Sequence, residues 1–271
     1  MKSKYRLSRC ALAVAGLLLP AVGLTAGFAA GVSPSKFELE AKPGEVLRDT
    51  VTILNPSDEM AEFQLSTAEW RLNDESGVEF LEDQLVDGSC RPWVRLERKT
   101  VQVRAGEQKN YRFEVHVPAD AAPRLCQFAI LIESSEAADV RIANDQISLP
   151  IVGRYAVITY VAVGDAQAAI DYLGMGTALV RDQRLPTLRL QNTGNNYDRA
   201  FGQVTATDAR GSRAVLIPST FPILPGRTEE ILLSPETNAT GAAPVALSYP
   251  LTLKGQIEVG GETIRIDEIL E

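Results

Sequence analysis

The stretch that decides the fold is Ile147–Asp165, ISLPIVGRYAVITYVAVGD. Through Val163 it carries one charge, at Arg154, although 23% of the whole chain is charged. It is short for a membrane helix, which needs about 18 or more apolar residues, and Pro150 and Gly153 interrupt it. A single strand of this length would extend about 55 Å, more than a small domain needs. The sequence therefore predicts β structure in which the run is cut in two, or passes between domains and presents part of itself to a partner.

The N-terminal residues 1–29 have the three parts of a secretory signal peptide. Basic side chains come first, the apolar segment ALAVAGLLLPAVGL follows, and small residues lie around a cleavage position after Ala29. A retained membrane anchor is the alternative, but the apolar segment is short and ends in small residues. We therefore expect residues 1–29 to be removed on export, and no other segment to insert into a membrane.

Removal of the signal peptide changes the charge and the cysteine content. It takes four of the 27 basic residues and none of the 35 acidic ones, which leaves 23 against 35 and a net charge of −12. So acidic a chain is a poor partner for nucleic acid or anionic lipid. Cys10 is removed as well, and Cys90 and Cys126 remain. Two remaining cysteines usually pair in an oxidising compartment, which predicts a disulfide; two buried free thiols are the alternative.

Short alternating segments separated by turn signals fill the rest of the chain. KFELEAK and NYRFEVHVP are two such segments, and Lys42-Pro43-Gly44 and Asn55-Pro56-Ser57 are two such turns. About seven or eight such strands are typical of a β-sandwich, and no segment keeps a helical apolar period. The pattern begins again after Gly164. We therefore predict an all-β chain of two immunoglobulin-like β-sandwich domains, residues 30–164 and residues 165–271.

The two halves also share a sequence pattern. TVTILNPS, residues 50–57, aligns with TLRLQNTG, residues 187–194, and each is a strand that ends in Asn and a turn. AGEQKNYRFEV from Ala105 resembles PGRTEEILL from Pro225, each a Gly turn that opens a strand. The two alignments have offsets of 137 and 120 residues, which differ by the length of a loop. The repetition indicates two domains of one type.

The residues that an enzyme would need are missing. His116 is the one histidine, and in YRFEVHVP it alternates with apolar residues, so it points away from the apolar face. With both thiols in a disulfide, no Ser-His-Asp or Cys-His set can be assembled. No cysteines or histidines have the spacing of zinc ligands. We therefore predict no catalytic residues, no metal site and no cofactor.

The segment ISLPIV suggests a use for the apolar run. Ile147, Leu149 and Ile151 share one face of a strand, and Pro150 lacks an N–H, so it belongs at an edge or a bulge. Proteins usually block an apolar edge strand with charge. An unblocked edge therefore indicates that pairing with another chain is the function. The alternative is that the three side chains fill the core of the first domain as its last strand.

Four segments spread along the mature chain carry a family resemblance: GVSPSKFELEAKPGEVLRDTVTILNPSDE, WVRLERKTVQVRAGEQKNYRFEV, ILPGRTEEILL and LKGQIEVGGE. The first two resemble the opening and middle segments of the periplasmic chaperones of chaperone–usher pilus assembly. The last two are similar to parts of the second domain of those chaperones. The resemblance implies a chaperone-type N-terminal domain, a C-terminal β-sandwich, a periplasmic location and no enzymatic activity.

The resemblance also implies a mechanism and partners. In that family the last strand of the first domain is lent to a pilus subunit whose own sandwich lacks a strand, and a basic pair holds the subunit's C-terminal carboxylate. Carried over to this chain, Ile147, Leu149 and Ile151 are the donated side chains, and Lys36 and Arg154 are the basic pair. The family has Arg on the first strand and Lys on the last, the reverse of the order here. The implied partners are pilus or fimbrial subunits and an outer-membrane usher.

A secreted structural or adhesive module of two β-sandwich domains that binds a cell-surface polymer is the alternative function. In that case ISLPIV belongs to the core, and Lys36 and Arg154 are ordinary surface charges. Surface aromatic side chains would then contact the polymer: Trp70, Trp93 and Tyr197.

Overall fold

A computed structural model describes residues 30–73, 77–86, 89–142, 147–236 and 247–271. The predicted signal peptide, residues 1–29, lies outside these ranges. The described residues form strands joined by loops, with one short 3₁₀ helix at Arg91–Trp93. The all-β prediction is therefore confirmed.

The strands in residues 31–163, apart from the tenth and eleventh, form two sheets that face each other. They are β1 (Gly31–Ser33), β2 (Lys36–Ala41), β3 (Val46–Leu54), β4 (Ala61–Leu72), β5 (Val78–Leu81), β6 (Val94–Leu96), β7 (Thr100–Val103), β8 (Gln108–His116), β9 (Arg124–Ser134), β10 (Ala138–Ile142), β11 (Ile147–Ile151) and β12 (Arg154–Val163). One sheet has the order β1-β3-β8-β6 and the other β2-β12-β9-β4-β5, with β7 also paired to β4. Every second side chain turns inward, as in β8, where Tyr111, Phe113 and Val115 are buried.

The predicted disulfide is present in this first core. Cys90 precedes the 3₁₀ helix, Cys126 lies on β9, and their Cα atoms are 5.8 Å apart. Both residues are buried. The bond therefore attaches the segment between β5 and β6 to a central strand of the second sheet.

The N-terminal segment contributes to both sheets. β1 pairs antiparallel with β3, and after Pro34 β2 pairs parallel with β12, from Lys36 opposite Ile158 onward. Earlier in β12, Ala156 pairs with β9, and no described strand pairs with it on the opposite side. β2 therefore covers one edge of only the C-terminal part of β12.

The apolar run is divided into two strands at Val152 and Gly153, one of the outcomes that its length predicts. β12 belongs to the sandwich, and its Val157 and Val161 are fully buried. β11 pairs with β10 and, within the described ranges, with no other strand. We call β10 and β11 together the ribbon. Because β10 is the one described neighbour of β11, Pro150 lies in an edge strand, as its missing N–H predicts.

The strands of residues 170–270 form a second unit. They are β13 (Ile170–Val180), β14 (Gln183–Asn192), β15 (Phe201–Thr207), β16 (Arg213–Pro218), β17 (Thr228–Pro235), β18 (Leu251–Val259) and β19 (Glu262–Leu270). Their order is β13-β14-β17-β16-β15-β18-β19, and β17 pairs with β14 along its first half and with β16 along its second. Leu188, Leu216 and Ile231 are fully buried in the core of this unit.

The sequence repeat is also a structural repeat, centred on two buried asparagines. Asn55 follows β3 and is 1% exposed, and Asn192 ends β14 and is 0% exposed. Each side-chain Nδ2 donates to two backbone carbonyls: Glu59 at 2.7 Å and Val103 at 3.0 Å for Asn55, and Asn196 at 2.7 Å and Ile223 at 2.8 Å for Asn192. The partners differ in number by 137 and by 120, the same offsets that align the sequences.

The backbone repeats the arrangement. Asn55 N donates to Glu107 O at 2.9 Å, and Asn192 N donates to Arg227 O at 2.9 Å. Each Oδ1 accepts the N–H two residues later, at 3.1 Å from Ser57 and 2.9 Å from Gly194. A short side-chain amide therefore closes the same corner in both units, because it can satisfy carbonyls and an N–H at once.

Candidate partner-binding site

The candidate site begins with the unpaired edge of the ribbon. β11 pairs with β10 from Ile147 opposite Ile142 to Ile151 opposite Ala138. The ribbon continues the β9–β12 pair, since Ser134 N donates to Gly153 O at 3.2 Å just before it begins. The edge of β11 that does not face β10 therefore continues into the edge of β12 at Ala156. Only the backbone of β11 is described, and the donation of its alternate side chains stays a prediction.

The structure does not bring the two predicted cations together. Lys36 begins β2 opposite Ile158, four residues along β12 from Arg154, which corresponds to about 13 Å. Lys36 Nζ lies 2.9 Å from Glu38 Oε1 and is half exposed. The register between β2 and β12 causes this separation, and it cannot be read from either strand alone. A shared role for the two cations at a subunit carboxylate stays a prediction.

Arg154 contacts two carboxylates on different elements. Its Nε donates to Glu133 Oε2 at 2.5 Å, and its Nη1 pairs with Glu82 Oε1. The hydrogen bond to Glu133 is the largest of the effects that raise the pKa of Arg154. Glu133 faces Arg154 across the β9–β12 pair, and Glu82 lies in the loop after β5. Arg154 therefore joins three parts of the first unit at the root of the ribbon.

The loop that carries Glu82 is itself held by Arg91. The guanidinium of Arg91 donates to four backbone carbonyls: Leu81 at 3.2 Å, Gln84 at 3.0 Å, Thr67 at 2.7 Å and Glu82 at 2.9 Å. Arg91 comes directly after the disulfide-bonded Cys90. A cavity of about 1000 Å³ lies beside these groups, lined by Glu82, Arg91, Glu133 and Arg154 among others. No local pattern in the sequence marks Arg91 or Glu82, because their bonds join segments that are distant along the chain.

The outer face of the β2-β12-β9-β4-β5 sheet packs against the second unit. Trp70, Leu131 and Tyr160 of that face form one cluster with Leu224 and, at its margin, Tyr197. The rings of Trp70 and Tyr160 meet edge to face with centroids 5.3 Å apart. Trp70 is only 3% exposed, so its assignment as a surface aromatic contact is wrong. Alternation along β4 places it outward on its sheet, but the second unit covers that side.

Arg199 is the main charged contact between the units. Its side chain is 13% exposed, pairs with Glu38 Oε1 of β2 at 2.6 Å, and lies 4.8 Å from the Tyr197 ring and 5.5 Å from the Tyr160 ring. Partial burial raises the pKa of Glu38, but Lys36 and Arg199 outweigh it and hold that pKa below its ordinary value. Burial raises the pKa of Tyr160 to about 12. No local pattern marks Arg199 in the sequence, since its partner lies in the other half of the chain.

We expect Arg199→Ala to destabilise the protein by about 2 kcal/mol. The substitution removes a largely buried cation from a carboxylate and from two aromatic rings. Equilibrium urea unfolding would measure this. The contribution of the Arg199–Glu38 pair exists above the ordinary pKa of a Glu and is lost as the pH falls through the lowered pKa of Glu38. The difference between the two proteins should therefore shrink in acid to the part that comes from the two aromatic rings. Arg48→Ala removes an exposed Arg–Glu pair and should change stability by less than about 1 kcal/mol. Equal effects of the two variants would contradict the assignment.

Main-chain groups also link the units. Leu125 N donates to Asn195 O at 2.7 Å, and Asn195 Nδ2 donates to Pro123 O at 2.8 Å. On the other side, Arg227 donates to Leu72 O at 3.3 Å and to Asn73 O at 3.2 Å. Gly164, at φ +59°, turns the chain from β12 toward the second unit.

The described residues hold few features of any other kind of site. In the described ranges, no three His, Cys, Asp or Glu side chains lie together as metal ligands. None of the described segments is a helix long and apolar enough to cross a membrane. His116 is exposed and lies 2.7 Å from Glu114.

Comparison with solved structures finds chaperones. The YadV chaperone is 11% identical with a TM-score of 0.47, over 89% of this chain and 99% of that one. The class 5 fimbriae chaperone CfaA is 11% identical with a TM-score of 0.46, over 85% and 98%. A chain of the Salmonella enterica SafA pilin–SafB chaperone complex is 10% identical with a TM-score of 0.47, over 90% and 98%. No protein-family model matches the sequence, and comparison with curated proteins finds no relative.

Proposed function

We propose that this chain is a non-enzymatic periplasmic chaperone that binds pilus or fimbrial subunits by lending them β11. Its mature part would fold as an N-terminal domain, residues 30–164, and a C-terminal domain, residues 165–271. An outer-membrane usher would be a further partner. The sequence resemblance gives the class of partner. The solved structures that resemble this chain include a chaperone in complex with a pilin.

The observation that carries the proposal is the pairing of β11. Its one described neighbour is β10, so a row of main-chain donors and acceptors remains available along its other edge. That edge continues into Ala156 of β12, until β2 begins at Lys36. A strand of a partner could therefore add to the sheet in line with β2. Main-chain pairing would supply affinity, and the alternate positions Ile147, Leu149 and Ile151 would supply register.

The adhesive-module alternative loses support from the same structure. It expects ISLPIV to be the last core strand, but that strand is β12, and β11 belongs to neither sandwich sheet. Its contact residues are also poorly placed, because Trp70 is buried and Tyr197 packs against Tyr160, with ring centroids 4.5 Å apart. Trp93 is partly buried against the first core.

We expect the tagged, exported protein to co-purify with a fimbrial subunit, and the double variant Ile147→Asp/Ile151→Asp to lose that subunit. Two charges placed on an apolar donated strand would enter a subunit groove unpaired, at a cost of several kcal/mol. Ser148→Asp is the matched control, since it adds a charge to the same strand at a position of the other parity. Circular dichroism would show that each variant is folded. A folded double variant that keeps the subunit, or a wild-type protein that binds none, would overturn the proposal.

A further inference from the structure

We propose that Arg154 is a positioning residue, which with Glu82 and Glu133 fixes the direction in which the ribbon leaves the first sandwich. We call these three residues the Arg154 clamp. The consequence for binding rests on the proposed function, but the effect on the ribbon does not.

The Arg154 clamp lies where the regular pairing of β9 and β12 ends. Arg154 is opposite Glu133 in the last regular pair of β9 and β12, and the ribbon resumes with Ala138 opposite Ile151. Three residues, 135–137, separate β9 from β10, whereas two residues, 152 and 153, separate β11 from β12. An irregular junction of this kind bends the strand and interrupts the hydrogen-bond ladder locally.

Glu82 supplies a support that does not move with either strand of the ribbon. It lies in the loop that Arg91 holds through four carbonyls, and Arg91 adjoins the Cys90–Cys126 disulfide. Arg154 therefore contacts one carboxylate on the neighbouring strand and one on a fixed loop outside the β9–β12 pair. Two contacts in different directions define an orientation, whereas a single ion pair would only hold the strands together.

The Arg154 clamp is partly exposed to solvent, so it can set the direction of the ribbon while contributing little to folding stability. The side chains of Arg154, Glu82 and Glu133 are 43%, 40% and 35% exposed, and ion pairs so open to water contribute little to stability. Loss of the clamp should therefore change where the ribbon points and leave the protein folded. If the competent orientation falls to about a tenth of the population, apparent affinity for a subunit falls about tenfold.

The first arm of the test measures the ribbon without any partner. Spin labels on Ser148→Cys and Gln102→Cys, one on the ribbon and one on β7, would report the distance distribution in wild-type and Arg154→Gln backgrounds. We expect the distribution to broaden in Arg154→Gln and also in Glu82→Gln. Arg48→Gln is the matched control, because it removes an exposed Arg–Glu pair on β3 and β8, far along the chain from the ribbon. An unchanged distribution in Arg154→Gln would overturn the proposal.

The second arm measures binding to the fimbrial subunit that co-purifies with wild type. We expect Arg154→Gln to bind the subunit about tenfold more weakly with an unchanged unfolding midpoint. Arg154→Lys should recover part of the affinity, because it keeps the charge but cannot contact both carboxylates through separate nitrogens. About 1 M salt should weaken wild type toward the variant, since the Debye length falls to about 3 Å and the solvent-exposed ion pairs of the Arg154 clamp are weakened. Equal affinity despite a broadened distribution would refute the role in binding. Absence of any subunit would refute the proposed function and leave the spin-label result to decide the clamp.

Discussion

Asn55→Ala is expected to destabilise the first domain by about 4 kcal/mol. The side chain makes four hydrogen bonds, two from Nδ2 to backbone carbonyls and two to Oδ1 from Ser57, and each contributes about 1 kcal/mol. Asn192→Ala should cost the second domain a similar amount, because Asn192 also makes four such bonds. The two effects should be similar in size although the aligned segments TVTILNPS and TLRLQNTG are identical at only two positions.

The measurement can assign each loss to its domain. Trp93 packs on the first core, and Trp70 packs on the contact with the second unit. Tryptophan fluorescence therefore follows the unfolding of the first unit together with the loss of that contact, and circular dichroism follows both units. Asn110→Ala is the matched control, since Asn110 is exposed and bonds to Thr52 Oγ1 at 3.0 Å; it should cost less than about 1 kcal/mol. If Asn55→Ala were no more harmful than Asn110→Ala, the buried corner would not be a stabilising element.

Removing the disulfide is expected to cost the first domain a similar amount. The bond closes a loop of 36 residues, which corresponds to about 4 kcal/mol in the chain-entropy model. In urea, the double variant Cys90→Ala/Cys126→Ala should therefore lose tryptophan signal at a lower concentration than wild type. The second domain contains no partner of this bond, so its transition should move only through the contacts between the units.

Wild-type protein kept in a thiol reductant is the matched control for the disulfide. Reduction breaks the same bond without changing the sequence, so it should shift the transition to the same midpoint as the double variant. If the double variant and oxidised wild type unfolded together, the two cysteines would contribute packing but no cross-link in the protein.

Local patterns in the sequence predicted most of the strands. Alternation identified segments such as β8, and the Asn-turn pairs identified the corners at Asn55 and Asn192 before any contact was known. Both signals are local, because a strand with one buried face must alternate and a tight corner needs particular residues. The disulfide followed from cysteine count and compartment alone.

The side chains of the candidate site depend on contacts that no local pattern contains. Lys36 begins β2 and Arg154 begins β12, and the register of β2 against β12 sets the two positions four residues apart. Trp70 reads as an outward residue of β4, and only the docking of the second unit buries it. Arg199 and Glu82 find their partners 161 and 72 residues away. Pairing over such distances is decided by the assembled fold and leaves no local pattern in the sequence.

Because β2 pairs with β12 only from Ile158 onward, its first residues also act as a stop. On the proposed mechanism an incoming strand has room from Ile147 to Ala156, which is ten residues or about 33 Å, before it meets Lys36. The start of β2 would thus limit how far a client strand can extend along this edge, in addition to the register that Ile147, Leu149 and Ile151 supply. Subunits whose side chains differ could then be bound in the same register, provided that the pairing strand of each subunit ends where β2 begins.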